Sequence, residues 1–232
     1  MNNKINLYQQ QDDLMLDSFN DIIINLTQKC RNNNLKTLLF CGSEPGVGTT
    51  TVTINLAMSL AKGNNKTLLI DSDMRKLATH KRLGEKMLLG LSDYLSETAN
   101  RTDIINQTNI NNLDYIACGT STGKSAKLLN SHNLDKLISS LYENYNFILF
   151  DSPSLNAVYD AVALSVLVDG IFIITELGKT TKSNINKMIK ALSGANNKIL
   201  GILINKVDQP EYRMYMRNYD YFNDLKYKRK RV

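Results

Sequence analysis

Residues 36–62 read KTLLFCGSEPGVGTTTVTINLAMSLAK, and this stretch decides the fold. An apolar run of strand length, Thr37–Cys41, leads into a glycine-containing loop, and the helical pattern Thr50–Lys62 follows at once. A strand, a glycine loop and a helix in this order are typical of a P-loop, where backbone N–H groups and the helix N-terminus bind phosphate. Gly46 and Gly48 let the loop turn inward because glycine has no Cβ to clash.

The loop departs from the P-loop pattern GxxxxGK[ST]. Thr49 stands in place of the lysine, and Ser43 stands in the register of the first glycine, with Gly42 one position earlier. Losing the lysine removes a positive charge aimed at the β- and γ-phosphates, whereas the backbone cradle and the helix dipole remain. We therefore expect nucleotide binding to survive and fast phosphoryl transfer to be weakened, because transfer depends on stabilising negative charge. A glycine-rich turn that merely caps a helix is the alternative.

Three aspartates stand at the ends of apolar runs. Asp71 ends the run Thr67–Asp71 and is followed closely by Asp73, and Asp151 ends the run Phe147–Asp151. Because ligands of open parallel sheets bind beyond the carboxyl ends of the strands, we expect these acids to face the same crevice as the loop. An apolar strand ending in Asp is the Walker B arrangement, in which the carboxylate holds magnesium, although a single such Asp is more often a turn or cap residue. The DSD pair is better placed to accept a hydroxyl proton from a substrate, since it has no Walker B role.

Apolar runs alternate with longer amphipathic segments along the chain. Further strands are predicted at Leu113–Ala117, Gly170–Thr175 and Ile199–Asn205, and further helices at Leu14–Cys30, Asn133–Tyr145 and Thr181–Ser193. This alternation predicts an α/β fold, a doubly wound and mainly parallel sheet flanked by helices. We expect an N-terminal helical segment over residues 1–35, a P-loop nucleotide-binding domain over 36–208 and a flexible, tyrosine-rich basic tail over 209–232.

Composition and charge limit the classes of function. Hydrophobic residues make up 43% of the 232 residues and charged residues 22%, as in an ordinary globular protein. Much of the net charge of +6 comes from the basic residues Lys226, Lys228, Arg229, Lys230 and Arg231. That run is either a solvated end or a contact for acidic lipid or an acidic partner. The body of the sequence shows no basic helix, so we expect no nucleic-acid binding.

Two further observations bear on the compartment. Cys30, Cys41 and Cys118 show no CxxC or Cys/His spacing, which favours reduced thiols over disulfides or a zinc site. The N-terminal residues are polar, and no stretch of about 18 apolar residues occurs. We therefore expect a cytoplasmic protein that reaches a membrane only peripherally, through a partner or the tail.

Several motifs together resemble the bacterial tyrosine kinases that regulate capsule and exopolysaccharide synthesis. They are SEPGVGTTT, LLIDSDMRK, ILFDSPS, GILINKVD and a terminal tyrosine cluster, spread over residues 36–227. The family's fold is a doubly wound P-loop sheet related to the MinD and ParA ATPases. The resemblance implies that ATP and Mg²⁺ are the cofactors.

The resemblance also assigns roles to single residues. Asp71 and Asp73 match the two acids of the Walker A-prime motif, Asp151 matches the Walker B acid, and these three are the expected catalytic residues. Magnesium is expected at Thr50, Asp71 and Asp151, and Asn205 falls where relatives contact the adenine. The remaining nucleotide contacts are expected from the loop residues Glu44, Pro45, Gly46, Val47, Gly48, Thr49, Thr50 and Thr51.

The reaction that the resemblance implies is ATP-dependent phosphorylation of tyrosines in the tail, in trans between neighbouring subunits of a homo-oligomeric ring. The expected phosphoacceptors are Tyr212, Tyr215, Tyr219, Tyr221 and Tyr227; the alternative for this cluster is an aromatic docking patch. The kinases of this family are switched on by the cytoplasmic segment of a membrane adaptor of the polysaccharide machinery.

Departures from the family pattern keep a second function open. Besides Thr49, the family's N-terminal ExxRxxR oligomerisation motif has no good match, since the nearest stretch, residues 17–23, lacks both arginines. Glu44 stands where ParA-type ATPases carry their signature lysine, which argues against a partitioning ATPase. The rival to an active kinase is a pseudokinase that binds ATP and acts as a switch through the adaptor.

Overall fold

The computed structural model describes residues 5–7, 13–74, 88–120, 123–154, 160–193 and 199–208. Within these residues the strands are β1 Thr37–Gly42, β2 Thr67–Asp71, β3 Ile105–Gln107, β4 Leu113–Ile116, β5 Phe147–Ser152, β6 Gly170–Glu176 and β7 Ile199–Asn205. They form one sheet in the order β3-β4-β2-β5-β1-β6-β7. β3 runs antiparallel to β4, and every other pair of neighbours is parallel.

Helices cover both faces of this sheet. The described helices are α1 Asp13–Asn33, α2 Thr49–Lys62, α3 Leu91–Leu95, α4 Arg101–Ile104, α5 Ser125–Leu129, α6 His132–Tyr142, α7 Asp160–Ser165 and α8 Lys182–Ser193. α1 and α2 pack with one face of the sheet, and the helices from α3 to α8 pack with the other. This is the doubly wound, mainly parallel α/β fold that the sequence predicts. No described helix is long and apolar enough to cross a membrane.

The central strands are apolar because both of their faces are covered. All six residues of β1 are buried, and so are all six of β5. Along β1 the side chains alternate between two cores: Leu38 and Phe40 belong to the core beneath α1 and α2, and Leu39 and Cys41 to the opposite core. β1 therefore lies inside the sheet, between β5 and β6, and the loop that follows it opens at the carboxyl edge.

The boundaries of most predicted elements agree with the structure to within three residues. The helix predicted to end at Tyr145 ends at Tyr142, because the chain there turns towards β5 and the Tyr145 hydroxyl donates to Asp114 Oδ2 at 2.8 Å. The prediction missed β3, whose three residues are only partly buried and carry no apolar run. The predicted tail, residues 209–232, lies outside the described residues.

Candidate functional site

The phosphate loop joins β1 to α2 and has the shape of an anion cradle. Gly46 and Gly48 have φ values of +83° and +92°, in the left-handed region that favours glycine. Gly48 is the residue that caps α2, so the N–H groups of the first helical turn face the loop. A Cβ placed on Gly46 would meet nothing within 4 Å, which leaves this side of the loop open to a ligand. The arrangement suits phosphate oxygens, which accept backbone N–H bonds at a helix N-terminus.

Asn205, at the carboxyl end of β7, lies against this loop. Its Nδ2 atom donates to the carbonyl oxygen of Val47 at 2.8 Å, and a Cβ on Gly48 would overlap the same atom. Val47 itself is buried. The residue expected at the adenine therefore also holds the loop through a backbone carbonyl.

Neighbouring residues contact or leave room for the loop positions that depart from the P-loop pattern or from the ParA signature. A Cβ on Gly42 would overlap Thr49 Oγ1, so the displaced glycine leaves room for the residue that replaces lysine. Ser43 Oγ lies 2.9 Å from Thr180 Oγ1, and Glu44 Oε1 accepts a hydrogen bond from Asn184 Nδ2 at 2.9 Å.

Two of the predicted acids are neighbours across the sheet. Asp71 and Asp151 are register partners on the adjacent parallel strands β2 and β5, and they are 2% and 5% exposed. Phe40 of β1 is the register partner of Asp151 on its other side, so Asp151 lies next to the strand that enters the phosphate loop and Asp71 lies one strand further away. Two carboxylates buried side by side repel each other, and a divalent cation offsets that repulsion.

The DSD segment is tied to both strands. The Asp73 N–H donates to Asp71 Oδ1 at 3.0 Å, which turns the chain at the end of β2. The Ser72 hydroxyl and N–H both donate to the carbonyl oxygen of Asp151, at 2.6 and 2.9 Å. These bonds fix the end of β2 against the end of β5, and Asp73 is half-buried beside them.

The negative charges at the carboxyl edge of the sheet also affect Cys118. Burial raises the pKa of the Cys118 thiol to about 12, and the nearby charges of Asp71 and Asp73 contribute to the rise. Cys118 follows β4, the strand beyond β2 in the sheet. Its thiol is therefore protonated at neutral pH and is a poor nucleophile.

The donor set fits magnesium better than a metal held by protein alone. Among the described residues, no group of three or more His, Cys, Asp or Glu side chains is arranged to hold a metal ion. Mg²⁺ usually binds one or two carboxylates and completes its octahedron with phosphate oxygens and water. The two strand-end carboxylates and the hydroxyl of Thr50, in the first turn of α2, are oxygen donors of that kind and fit Mg²⁺.

Sequence reasoning missed the residues that surround the loop from β6 and α8. Glu176 Oε2 accepts from Lys206 Nζ at 3.0 Å and from Lys179 Nζ at 3.2 Å, and the hydrogen bond from Lys206 is the main cause that lowers the pKa of Glu176. Asn184 donates a hydrogen bond to Glu44 of the loop, and the Thr180 hydroxyl pairs with that of Ser43. Lys206 lies in the motif GILINKVD, although the sequence analysis gave it no role. No motif marks Glu176, Lys179, Thr180 or Asn184, which stand after a predicted strand or in the first turn of a predicted helix. The five tail tyrosines expected as phosphoacceptors lie outside the described residues.

The fold and the site together define a P-loop nucleotide-binding protein with a lysine-free loop. The family described as the AAA domain matches residues 35–205. The tyrosine-protein kinase CpsD of Streptococcus pneumoniae serotype 4 is 32% identical over 179 residues, which cover 76% of this chain and 78% of CpsD. The chain belongs to this family of bacterial tyrosine-protein kinases within the AAA-domain proteins, and the resemblance seen in the sequence is confirmed.

Solved structures agree with the assignment. The crystal structure of the chimerical protein CapA2B2 has a TM-score of 0.81 and 25% identity, and the match covers 90% of this chain and 95% of CapA2B2. MinD of Pyrococcus horikoshii, solved with Mg-ADP, has a TM-score of 0.64 and 23% identity over 76% of this chain and 73% of its own. The likeness to MinD concerns the fold alone.

Proposed function

We propose that this protein is an ATP-dependent tyrosine autokinase that regulates the synthesis and export of a capsular or exopolysaccharide and phosphorylates tyrosines of its own tail. The observation that carries the proposal is the buried register pair of Asp71 and Asp151 beside a glycine phosphate cradle, in a chain of the tyrosine-kinase family. The pair supplies the acids that phosphoryl transfer with Mg²⁺ needs, and the cradle supplies the donors for phosphate.

Nucleotide binding is assigned to the loop and to β7. The loop residues from Glu44 to Thr51 hold the phosphates, mainly through backbone N–H groups, and Asn205 contacts the base. Thr50, Asp71 and Asp151 hold the metal. When bound, Mg²⁺ neutralises the charge that develops on the β- and γ-phosphates.

Transfer requires a tyrosine hydroxyl to be deprotonated as it attacks. The phenolic oxygen bonds to the γ-phosphorus, the bond between that phosphorus and the β–γ bridging oxygen breaks, and ADP leaves. The hydroxyl proton passes to the Asp73 carboxylate, which stands beside the metal ligand Asp71 and has no Walker B role. Asp71, Asp73 and Asp151 are in this scheme the catalytic residues.

The proposed acceptors are the tyrosines of residues 209–232, presented by a neighbouring subunit of a homo-oligomer. A membrane adaptor of the polysaccharide machinery is the proposed activator, and its cytoplasmic segment brings the kinase to the membrane periphery. The basic end of the tail suits contact with acidic lipid near that adaptor. In this proposal residues 1–35 form a helical segment and residues 36–208 form the kinase domain. Residues 209–232 form the segment that is phosphorylated.

One observation favours a second function. Thr49 removes the lysine charge, and its hydroxyl fills the space beside Gly42. A chain that binds ATP without transferring phosphate would act as a pseudokinase switch on the same adaptor.

Intact-mass spectrometry separates the two functions. The purified protein is incubated with ATP and Mg²⁺, with and without the adaptor's cytoplasmic segment, and the phosphates are mapped by fragmentation. Mass increases of one or more phosphates in residues 212–227 support the kinase, whereas an unchanged mass together with measurable ATP binding favours the switch.

Aspartate variants assign the roles. Asp151→Ala is expected to abolish the Mg²⁺-dependent part of ATP affinity, and Asp73→Ala to keep binding but lose transfer. Asp135→Asn is the control, because Asp135 is exposed and, among the described residues, forms an ion pair with the exposed His132 at 3.8 Å. Equal ATP affinity in wild type and Asp151→Ala would contradict the metal assignment.

A further inference from the structure

The two loop positions next to the displaced glycine are each bound by the β6–α8 segment, which no P-loop motif includes. Ser43 stands in the register of a glycine, Glu44 comes two residues before Gly46, and their side chains contact Thr180 and Asn184. We propose that Ser43 and Glu44 are positioning residues that fasten the phosphate loop to the start of α8 and so preorganise a loop that lacks its lysine. The proposal rests on the proposed nucleotide binding at this site.

The side chain of Glu44 is bound by α8. Its carboxylate accepts from Asn184, the third residue of α8, and α8 has no acidic residue in its own first turn. A carboxylate near a helix N-terminus is stabilised by the helix dipole. A glutamate in a phosphate loop would otherwise repel phosphate, so the bond to Asn184 converts a repulsive side chain into a support.

Ser43 is fastened at two atoms. Its N–H donates to the carbonyl oxygen of Ile174 in β6 at 2.8 Å, and its hydroxyl pairs with Thr180 at 2.9 Å. Thr180 Oγ1 also accepts from the N–H of Glu176 at 3.1 Å, which fixes the threonine in turn. Ser43 is fully buried, so these bonds are not exchanged for water.

The loop is thus held from outside at three places, since Val47 is bound by Asn205 from β7. A lysine-free cradle binds phosphate through N–H groups alone, and their directions depend on the loop backbone. Restricting that backbone before the ligand arrives lowers the ordering cost of binding. Loss of the bond between Glu44 and Asn184 with Glu44 still present has two effects. The loop backbone is less restricted, and the Glu44 carboxylate is no longer bound next to the phosphates.

Whether a substitution of Glu44 weakens or strengthens Mg-ATP binding distinguishes a positioning role from simple charge repulsion. Mg-ATP affinity is measured by calorimetry for wild type, Glu44→Gln, Glu44→Ala, Asn184→Ala and the double alanine variant. Glutamine keeps the acceptor for Asn184 and removes the charge, so affinity is expected to be higher in Glu44→Gln than in Glu44→Ala. Glu44→Ala is expected to weaken affinity about fivefold because the bond to Asn184 is lost. Asn184→Ala is expected to weaken it more, because it also leaves the Glu44 charge unbound, and the double variant is expected to match Glu44→Ala because the same bond and the same charge are gone.

A second readout does not need nucleotide. Amide hydrogen exchange of residues 43–49 in the ligand-free protein is expected to be about fivefold faster in Asn184→Ala than in wild type, with the middle of α2 unchanged. Tighter binding by Glu44→Ala, independent additive losses in the double variant, or unchanged loop exchange would each overturn the proposal. If the wild-type protein binds no Mg-ATP but Asn184→Ala still speeds hydrogen exchange of the loop, the positioning role of Glu44 is supported and the proposed function is contradicted.

Discussion

Gly48→Ala, compared with Gly46→Ala, tests how closely the phosphate loop is packed against β7. Both glycines have positive φ, +92° and +83°, so alanine pays a similar backbone penalty of about 1 kcal/mol at either position. Only Gly48 faces a neighbour: a Cβ there overlaps Asn205 Nδ2, whereas a Cβ on Gly46 meets nothing within 4 Å. Asn205 must then move and lose its bond to Val47, which adds about 1 kcal/mol.

The expected loss of unfolding free energy is therefore about 2 kcal/mol for Gly48→Ala and about 1 kcal/mol for Gly46→Ala. Urea denaturation of both variants, with m-values compared, measures the difference directly. Asn205→Ala removes the clash, so Gly48→Ala in that background should cost no more than Gly46→Ala does. Equal losses for the two glycine variants in the wild-type background would refute the packing of Asn205 on the loop.

Three further predictions concern the lysine-free loop, a buried hydrogen bond and the thiols. Thr49→Lys is expected to raise phosphate incorporation, measured by mass spectrometry, about tenfold, because it restores a charge on the transferring phosphate; no gain would mean that another element of transfer is missing. Tyr145→Phe removes the bond to Asp114 and is expected to lower the unfolding free energy by about 1 kcal/mol in urea titrations, and an unchanged value would contradict this. Burial raises the pKa of Cys41 and of Cys118 to about 12 from an ordinary value of 9.0. Above pH 9 the folded state therefore binds more protons than the unfolded state, and we expect the unfolding free energy to fall as pH rises. Urea titrations at pH 8 and pH 10 check this, and replacing both cysteines by alanine should reduce the decline.

The strands and the loop were predictable because their signals are local. Thr67–Asp71 and Ile199–Asn205 were predicted with the bounds that the structure has. β2 is buried along its whole length, and such a strand must be apolar throughout or nearly so. β7 is half-buried to exposed, and its long apolar run gave the signal instead. The glycines of the loop follow from the same short stretch, because positive φ at Gly46 and Gly48 is a property of the backbone itself. β3 escaped prediction because a short, half-exposed edge strand carries no such signal.

The site was predictable only in part. The rule that parallel strands present their carboxyl ends at one edge predicted that Asp71 and Asp151 would share a crevice, and they are register partners. That rule says nothing about which polar side chains surround the loop. Asn184, Thr180 and the pair of lysines on Glu176 follow from no spacing in the sequence.

The sequence by itself determined the P-loop unit, the strand-end acids and the α/β class, because hydrophobic periodicity and glycine placement report local backbone shape and burial. Tertiary structure alone decided the strand order and the contacts between Glu44 and Asn184, 140 positions apart, and between Val47 and Asn205, 158 positions apart. Hydrophobic periodicity shows that a residue is buried, but it does not show which residues it packs against. The partners are decided by the strand order: β6 pairs with β1 and β7 pairs with β6, which brings the ends of both strands beside the phosphate loop.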